Sequence, residues 1–356
     1  VNTIWMNKAY KEFEWTKHEN TGAHVYNGVR WKYSGQSAST TQSGTVTTNL
    51  LKAPVKTGTT WTVYSGEQFK YALVNFTTGD TIALGANLDL NGQNVTFSMT
   101  NVLKNLTLDG KGKTIYNLGL YNQCSLIQGY GNLTVKALTF TTAKLTGDVF
   151  AAGLFMQAHE GSAPGWDRST VIFTNVHIEN SLFFTAGDLV SPFGHVMLTG
   201  GNATHVLTMQ QCSVKGSYVR GEDHVAGFAT GLGSGQGNSK TSNCFSADTL
   251  LCGTGGHSAG FTSCNGEYFT LENCFAANET YGSASVSGFR GGNIGDTINC
   301  FSTGKLEGYI ALGGFTFSYA NSYMRNFTNC YSTTLVGLRS NAKNQGGFEC
   351  RQVGIS

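Results

Sequence analysis

The stretch TINCFSTGKLEGYIALGGF, residues 297–315, decides the reading of this chain. Parts of it return as SNCFSADTL (242–250), ENCFAANET (272–280) and TNCYSTTLV (328–336). Cys212, Cys244, Cys274, Cys300 and Cys330 are separated by 32, 30, 26 and 30 residues. Gly-Phe pairs at Gly227-Phe228, Gly260-Phe261, Gly288-Phe289, Gly314-Phe315 and Gly347-Phe348 are separated by 33, 28, 26 and 33. Two markers that drift together mean one structural unit per repeat, joined by loops of different length. Each unit holds short apolar stretches and no long helical pattern, which fits one coil of a parallel β-solenoid. Stacking coils edge to edge at ~4.8 Å would line identical residues into ladders. The cysteines are then a ladder, Gly marks corners and the Phe of Gly-Phe points inward.

Working outward, three zones are expected. Residues 1–33 form a Trp-rich N-terminal arm with Trp5, Trp15 and Trp31 as candidate assembly residues, and 34–60 a Ser/Thr-rich connector. Residues 61–356 form the solenoid: a cap helix and first strands over 61–90, diverged coils over 91–200, and the Cys/Gly-Phe repeats over 201–356. The cap helix is read from Ser65 as N-cap, Glu67 and Gln68 in the first turn, and an apolar face of Phe69, Ala72, Leu73 and Phe76. Gly79-Asp80 stops it. A short amphipathic helix before stacked strands suits the covering of an open sheet end. The fold class is therefore all-β, a solenoid of about 8–10 coils with an N-terminal capping helix and an extended arm.

The helix followed by GDTIAL (79–84) and the segment LTLDGKGKTI (106–115) resemble the N-terminal part of right-handed parallel β-helix proteins of the pectin-lyase-like group. The later units, with GGF and NCFSTG, resemble the GLUG repeat of bacterial and protist surface proteins. Together the resemblances cover residues 62–350; residues 1–60 match neither. They imply an extracellular structural or adhesin-type protein. Enzymes of the group use clustered carboxylates, sometimes with Ca²⁺ and a basic residue. Here the acids Asp89, Asp109, Asp148, Asp167, Asp188, Asp223, Asp248 and Asp296 are scattered, and no catalytic residue is assigned.

Composition narrows the function classes. Gly supplies 47 of 356 residues and Pro only 3, which favours tight turns over disorder. With 23 basic and 21 acidic residues the net charge of +2 leaves no footprint for nucleic acid. No apolar run approaches the ~18 residues of a membrane helix, so a soluble chain without membrane insertion is expected. Nine cysteines and seven Asn-x-Ser/Thr sites (Asn75, Asn94, Asn105, Asn132, Asn202, Asn278, Asn326) lean toward secretion, although composition alone yields about as many such triplets.

Three clusters are candidates for chemistry. His195, His224 and His257 stand in HVML, HVAG and HSAG, and His224 and His257 each stand three residues before the Gly of a Gly-Phe pair, so their rings should stack. Such rings could share a metal ion; the preferred reading is an ordinary ladder of neutral imidazoles, with no cofactor. The cysteine ladder permits cross-rung disulfides or a stack of small buried thiols, the second being preferred, and Cys252 with Cys264 forms a candidate separate pair. The aromatics after each ladder cysteine (Phe245, Phe275, Phe301, Tyr331) are either an exposed stripe or buried by a turn at Asn, with burial favoured. The resulting expectation is a subunit of an extracellular filament or appendage, joined head to tail to copies of itself. An adhesin or glycan-binding module is the alternative, and a polysaccharide lyase or hydrolase the third reading.

Overall fold

A computed structural model of the chain describes residues 16–17, 24–26, 29–31 and, between 53 and 352, all but 93–94, 96–103, 124, 129–130, 150, 157–169, 196–205, 233–238, 266–268, 293–294, 320–325 and 339–343. The described residues are predominantly β, with parallel sheets and one helix. Three parallel sheets run through the repeats. A 22-stranded sheet starts with Val55–Thr57 and Thr60–Val63 and continues to Leu335–Leu338. A seven-stranded sheet carries His224–Ala226, His257–Ala259, Ser285–Ser287 and Ala311–Gly313, and a five-stranded sheet carries Ala229–Leu232, Thr262–Asn265, Arg290–Gly291 and Thr316–Tyr319. Each unit contributes to all three, and each strand pairs with its counterpart one unit away. Phe245 thus lies opposite Phe275, Phe275 opposite Phe301, and Phe301 opposite Tyr331.

The first unit is built differently. Val55–Thr57 pairs antiparallel with Thr60–Val63, which then pairs parallel with Asp80–Leu84. The last residues of the stretch read as a connector therefore belong to the long sheet. Between them lies helix α1, Gly66–Asn75. Its start is fixed by a reciprocal cap: Ser65 Oγ accepts from the Gln68 backbone N–H at 3.3 Å, and Gln68 Oε1 accepts from the Tyr64 N–H at 2.8 Å. Phe69, Ala72 and Leu73 are buried against the first strands, as the apolar pattern predicts. Asp80, which follows the helix, is buried and accepts from Lys56 Nζ, Trp61 Nε1 and the Thr77 N–H at 2.7, 2.8 and 2.8 Å. That one carboxylate ties the hairpin, the helix exit and the first parallel strand together.

In the repeats the recurring residues have separate physical jobs. Asn243, Asn273, Asn299 and Asn329 sit at φ between 52° and 54°, the left-handed region that Asn tolerates better than other side chains. Their amides donate in series, Asn273 to Asn243 at 3.3 Å, Asn299 to Asn273 and Asn329 to Asn299 at 3.1 Å each. The corner turns the chain so that the next residue, Cys, points inward. Cys212, Cys244, Cys274 and Cys300 are buried, each thiol donating to the carbonyl two residues before it at 3.2–3.3 Å. The aromatic that follows points outward: Phe245, Phe275 and Phe301 are half-buried and Tyr331 is exposed. This corrects the expectation of burial, because the bend at Asn comes before Cys, and strand alternation then separates Cys from Phe.

The Phe of Gly-Phe is the inner counterpart. Phe228, Phe261, Phe289 and Phe315 are fully buried, with successive centroids 4.5, 5.0 and 4.8 Å apart. The glycine before each is required by close approach: a Cβ on Gly260 would collide with the Gly288 carbonyl oxygen, and one on Gly288 with that of Gly314.

Trp31 lies in a short strand, Val29–Trp31, antiparallel to His24–Tyr26. The positions read as Trp5 and Trp15 lie outside the described residues, as do Asn94 and Asn202.

Candidate functional site

The sequence-predicted histidines separate into two places. His224 and His257 open adjacent strands of the seven-stranded sheet, and their ring centroids stand 5.0 Å apart. His195 is buried elsewhere, bridging Gly231 beside the five-stranded sheet, and its Nδ1 lies 3.5 Å from Thr230 Oγ1. The expected trio is thus a pair, because the strand before His224 brings Leu189 to that register position and not His195.

What joins the pair is Asp223. Its Oδ1 accepts from the backbone N–H of His257 at 2.8 Å and lies 2.9 Å from His257 Nδ1; its Oδ2 lies 3.3 Å from His224 Nδ1. The three ligand atoms fall within 4.8 Å of one another, and all three side chains are partly exposed. Gly256 makes room for the carboxylate, since a Cβ there would collide with Asp223 Oδ1. Burial holds the His257 ring below the ordinary histidine range, against the pull of Asp223, and the neighbouring His224 adds to that lowering. His257 also stacks on Phe317, centroids 5.3 Å apart. Such a cluster can hold a proton between a carboxylate and an imidazole, or offer one oxygen and two nitrogens to a cation.

The cysteine ladder contains free thiols. Cys212, Cys244, Cys274, Cys300 and Cys330 are all unbridged. Burial pushes the Cys244 thiol well up, and hydrogen bonding to Cys274 together with burial pushes Cys300 up to about 12. Cys274 goes the other way: burial would raise it, but hydrogen bonds with Cys244 and Cys300 bring it well below the usual thiol range; since all three are buried away from any substrate, the ladder acts as a packing element. The Cys252–Cys264 pair is corrected: Cys252 is a free thiol in the 22-stranded sheet opposite Arg220 and Tyr281, and Cys264 lies in the five-stranded sheet opposite Gly231. The residues between them cross a complete strand of the third sheet.

Among the Asn-x-Ser/Thr sites, Asn75, Asn105, Asn132 and Asn326 are exposed. Asn278 is 3 % exposed, and its amide donates to Gly260 O at 2.7 Å and Ser246 Oγ at 2.9 Å while accepting from the Thr249 N–H at 3.1 Å. A glycan on that nitrogen would take one of its two hydrogens, losing one donated bond, and would need room that the buried site does not have, so this triplet is a core hydrogen-bonding device and not a sugar acceptor in the folded chain.

Sequence reasoning missed Arg290. Its side chain is fully buried, with Nη1 donating to Gly295 O at 3.1 Å and Thr297 Oγ1 at 2.6 Å, and its guanidinium 5.0 Å from the Phe327 ring centroid. Burial lowers its pKa to about 10, which leaves it charged at neutral pH. The available signal was positional: Arg290 occupies the register column filled by Ala229, Thr262 and Thr316 in other units.

No protein-family model matches the chain. No curated protein matches it. Among solved structures, the chain is similar to a "putative immunoglobulin A1 protease from Bacteroides ovatus", at 14% identity over 82% of each chain and a TM-score of 0.39. A likeness of that size says nothing about the activity of this chain.

Proposed function

We propose that this chain is a right-handed parallel β-solenoid of about ten coils, of the pectin-lyase-like and GLUG-repeat kind, and that its role is architectural. In this reading it is a secreted subunit that stacks head to tail into a filament or surface appendage. One observation carries the proposal: among the described residues, the core positions of the final unit are less covered than those of the unit before it. Cys300, Leu306 and Phe315 are fully buried, whereas their counterparts one unit on, Cys330, Val336 and Phe348, are only partly buried. Tyr331 and Leu335 of that last unit are 53 % and 72 % exposed. Apolar residues in such numbers at a strand edge favour pairing with another chain.

The opposite end supports the same reading. Val55, Tyr64, Tyr71 and Val74, on the hairpin and on the outer side of α1, are all exposed. An apolar cap facing an open apolar core makes a heterologous contact, which repeats without closing and so yields a filament. The outer aromatic ladder favours assembly over glycan binding. Its rings stack face to face at 4.9, 4.9 and 5.2 Å with interplanar angles of 4–5°, so that only edges face sideways and the last ring presents a face along the stack. Sugar recognition by stacking needs a free ring face. A hydrolase reading gains nothing from Asp80 and Asp109. Burial alone would raise both, but lysines and backbone N–H groups hold both carboxyls below the usual range, whereas a general acid needs a raised pKa.

The test uses one blocked variant at each end. Leu335→Lys leaves the cap intact, and Val74→Lys leaves the open end intact. Sedimentation velocity of the unaltered chain should show a concentration-dependent series of species, each variant alone should remain monomeric, and an equimolar mixture should stop at the dimer. Series that persist in both variants would refute the head-to-tail contact.

A further inference from the structure

We propose that Asp223, His224 and His257 form a binding site for a divalent transition-metal ion of the zinc class, with three protein ligands and a fourth position open to water or an external donor. Zinc bonds of about 2.0–2.2 Å at tetrahedral angles place neighbouring ligand atoms about 3.3–3.5 Å apart. Asp223 Oδ2 and His224 Nδ1 are 3.3 Å apart, beyond the ~2.7–2.9 Å of a charge-assisted hydrogen bond. The other carboxylate oxygen is already engaged by the His257 backbone N–H at 2.8 Å, which aims Oδ2 at the space shared with the imidazoles.

The remaining geometry agrees. A ring nitrogen of His257 belongs to the set of three ligand atoms within 4.8 Å, and its Nδ1 is the one 2.9 Å from Asp223 Oδ1. Without an ion, that nitrogen carries the hydrogen of its 2.9 Å bond to Asp223 Oδ1; loading moves the proton to Nε2 and frees the Nδ1 lone pair. Two imidazoles with one carboxylate suit zinc, copper, nickel or cobalt better than calcium or magnesium. Partial exposure of all three side chains leaves a path for entry. Bare backbone at Gly256 is what lets the carboxylate sit at this distance.

The experiment is calorimetric titration of the whole chain with Zn²⁺, with Co²⁺ as the spectroscopic probe. One equivalent should bind, and the Co²⁺ complex should give visible bands of a four- or five-coordinate nitrogen and oxygen site without a thiolate charge-transfer band. His224→Ala should weaken binding at least about tenfold, because it removes one of three ligands. Gly256→Ala keeps all three ligands but displaces the carboxylate, and should weaken binding similarly. The His224 side chain is more exposed than that of His257, so its variant is expected to fold even where His257→Ala does not. Absence of uptake, a thiolate charge-transfer band, or affinity unchanged in both His224→Ala and Gly256→Ala would overturn the assignment.

Discussion

The first units, residues 53–156, and the repeats from 206 onward solve the same stacking problem with different chemistry. The first region relies on aliphatic packing, a capped helix and buried carboxylates held by lysines: Asp80 by Lys56 at 2.7 Å, and Asp109 by Lys111 and Lys136 at 3.1 and 3.3 Å. The second relies on ladders, in which Asn, Cys and two files of aromatic rings bond to their own kind one unit away. A latch acts once, at the place where the stack begins. A ladder adds one equal increment per unit and can be extended. Helix α1 covers the first unit, and among the described residues the last unit presents half-buried core positions.

Six substitutions sharpen that contrast. The largest effect is expected at Gly260→Ala, where the new Cβ meets the Gly288 carbonyl and two stacked units must separate. A loss of at least about 4 kcal/mol is expected, read from denaturant unfolding. Gly92→Ala in the first region meets nothing within 4 Å and bears only the strain of φ 69°, about 1 kcal/mol. Equal losses at the two glycines would break the comparison.

The next effect separates the two aromatic files. Phe261→Ala should cost about 3–5 kcal/mol, the usual range for a fully buried ring. Phe275→Ala, half-buried in the outer file, should cost about 1 kcal/mol and act mainly on association. Asp80→Asn tests the latch. It keeps the shape but removes the charge facing Lys56, and should cost about 2 kcal/mol in thermal or denaturant unfolding. The pH dependence follows in sign: the folded pKa of Asp80 lies below the ordinary aspartate value of 3.8, so its contribution is complete above that value and disappears as pH falls through the folded pKa. The wild-type chain should therefore lose more stability than Asp80→Asn on acidification below pH ~4. A small effect, about 1 kcal/mol and comparable with those at Gly92 and Phe275, is expected for Asn299→Ala, which removes two ladder amide bonds at 3.1 Å and places Ala at φ 53°.

Much of this architecture is legible in the sequence, because ladders write themselves as repeats. The spacing of Cys and Gly-Phe gave parallel strands in matching register, and Ser65 with the Phe69–Phe76 face gave α1. The outward direction of Phe245, Phe275 and Phe301 was not legible, since it turns on whether the chain bends only at the Asn before Cys or again between Cys and the aromatic. The separation of His195 from His224 was hidden for a related reason: unequal loops shift the register, and spacing alone does not say which column a residue enters. Asp223 stood beside His224 in the sequence, but its contact with His257 comes from the next unit, across 34 residues. Asn278 and Arg290 are single departures inside a repeat, and a search for recurring residues passes over them.

The central claim, stacking continued from one copy to the next, is tested most directly by negative-stain electron microscopy of the untagged chain over a concentration series. Ten units at ~4.8 Å predict filaments with an axial repeat of about 50 Å, absent after deletion of residues 1–60 and in Leu335→Lys. Short rods of single-molecule length at every concentration would contradict it.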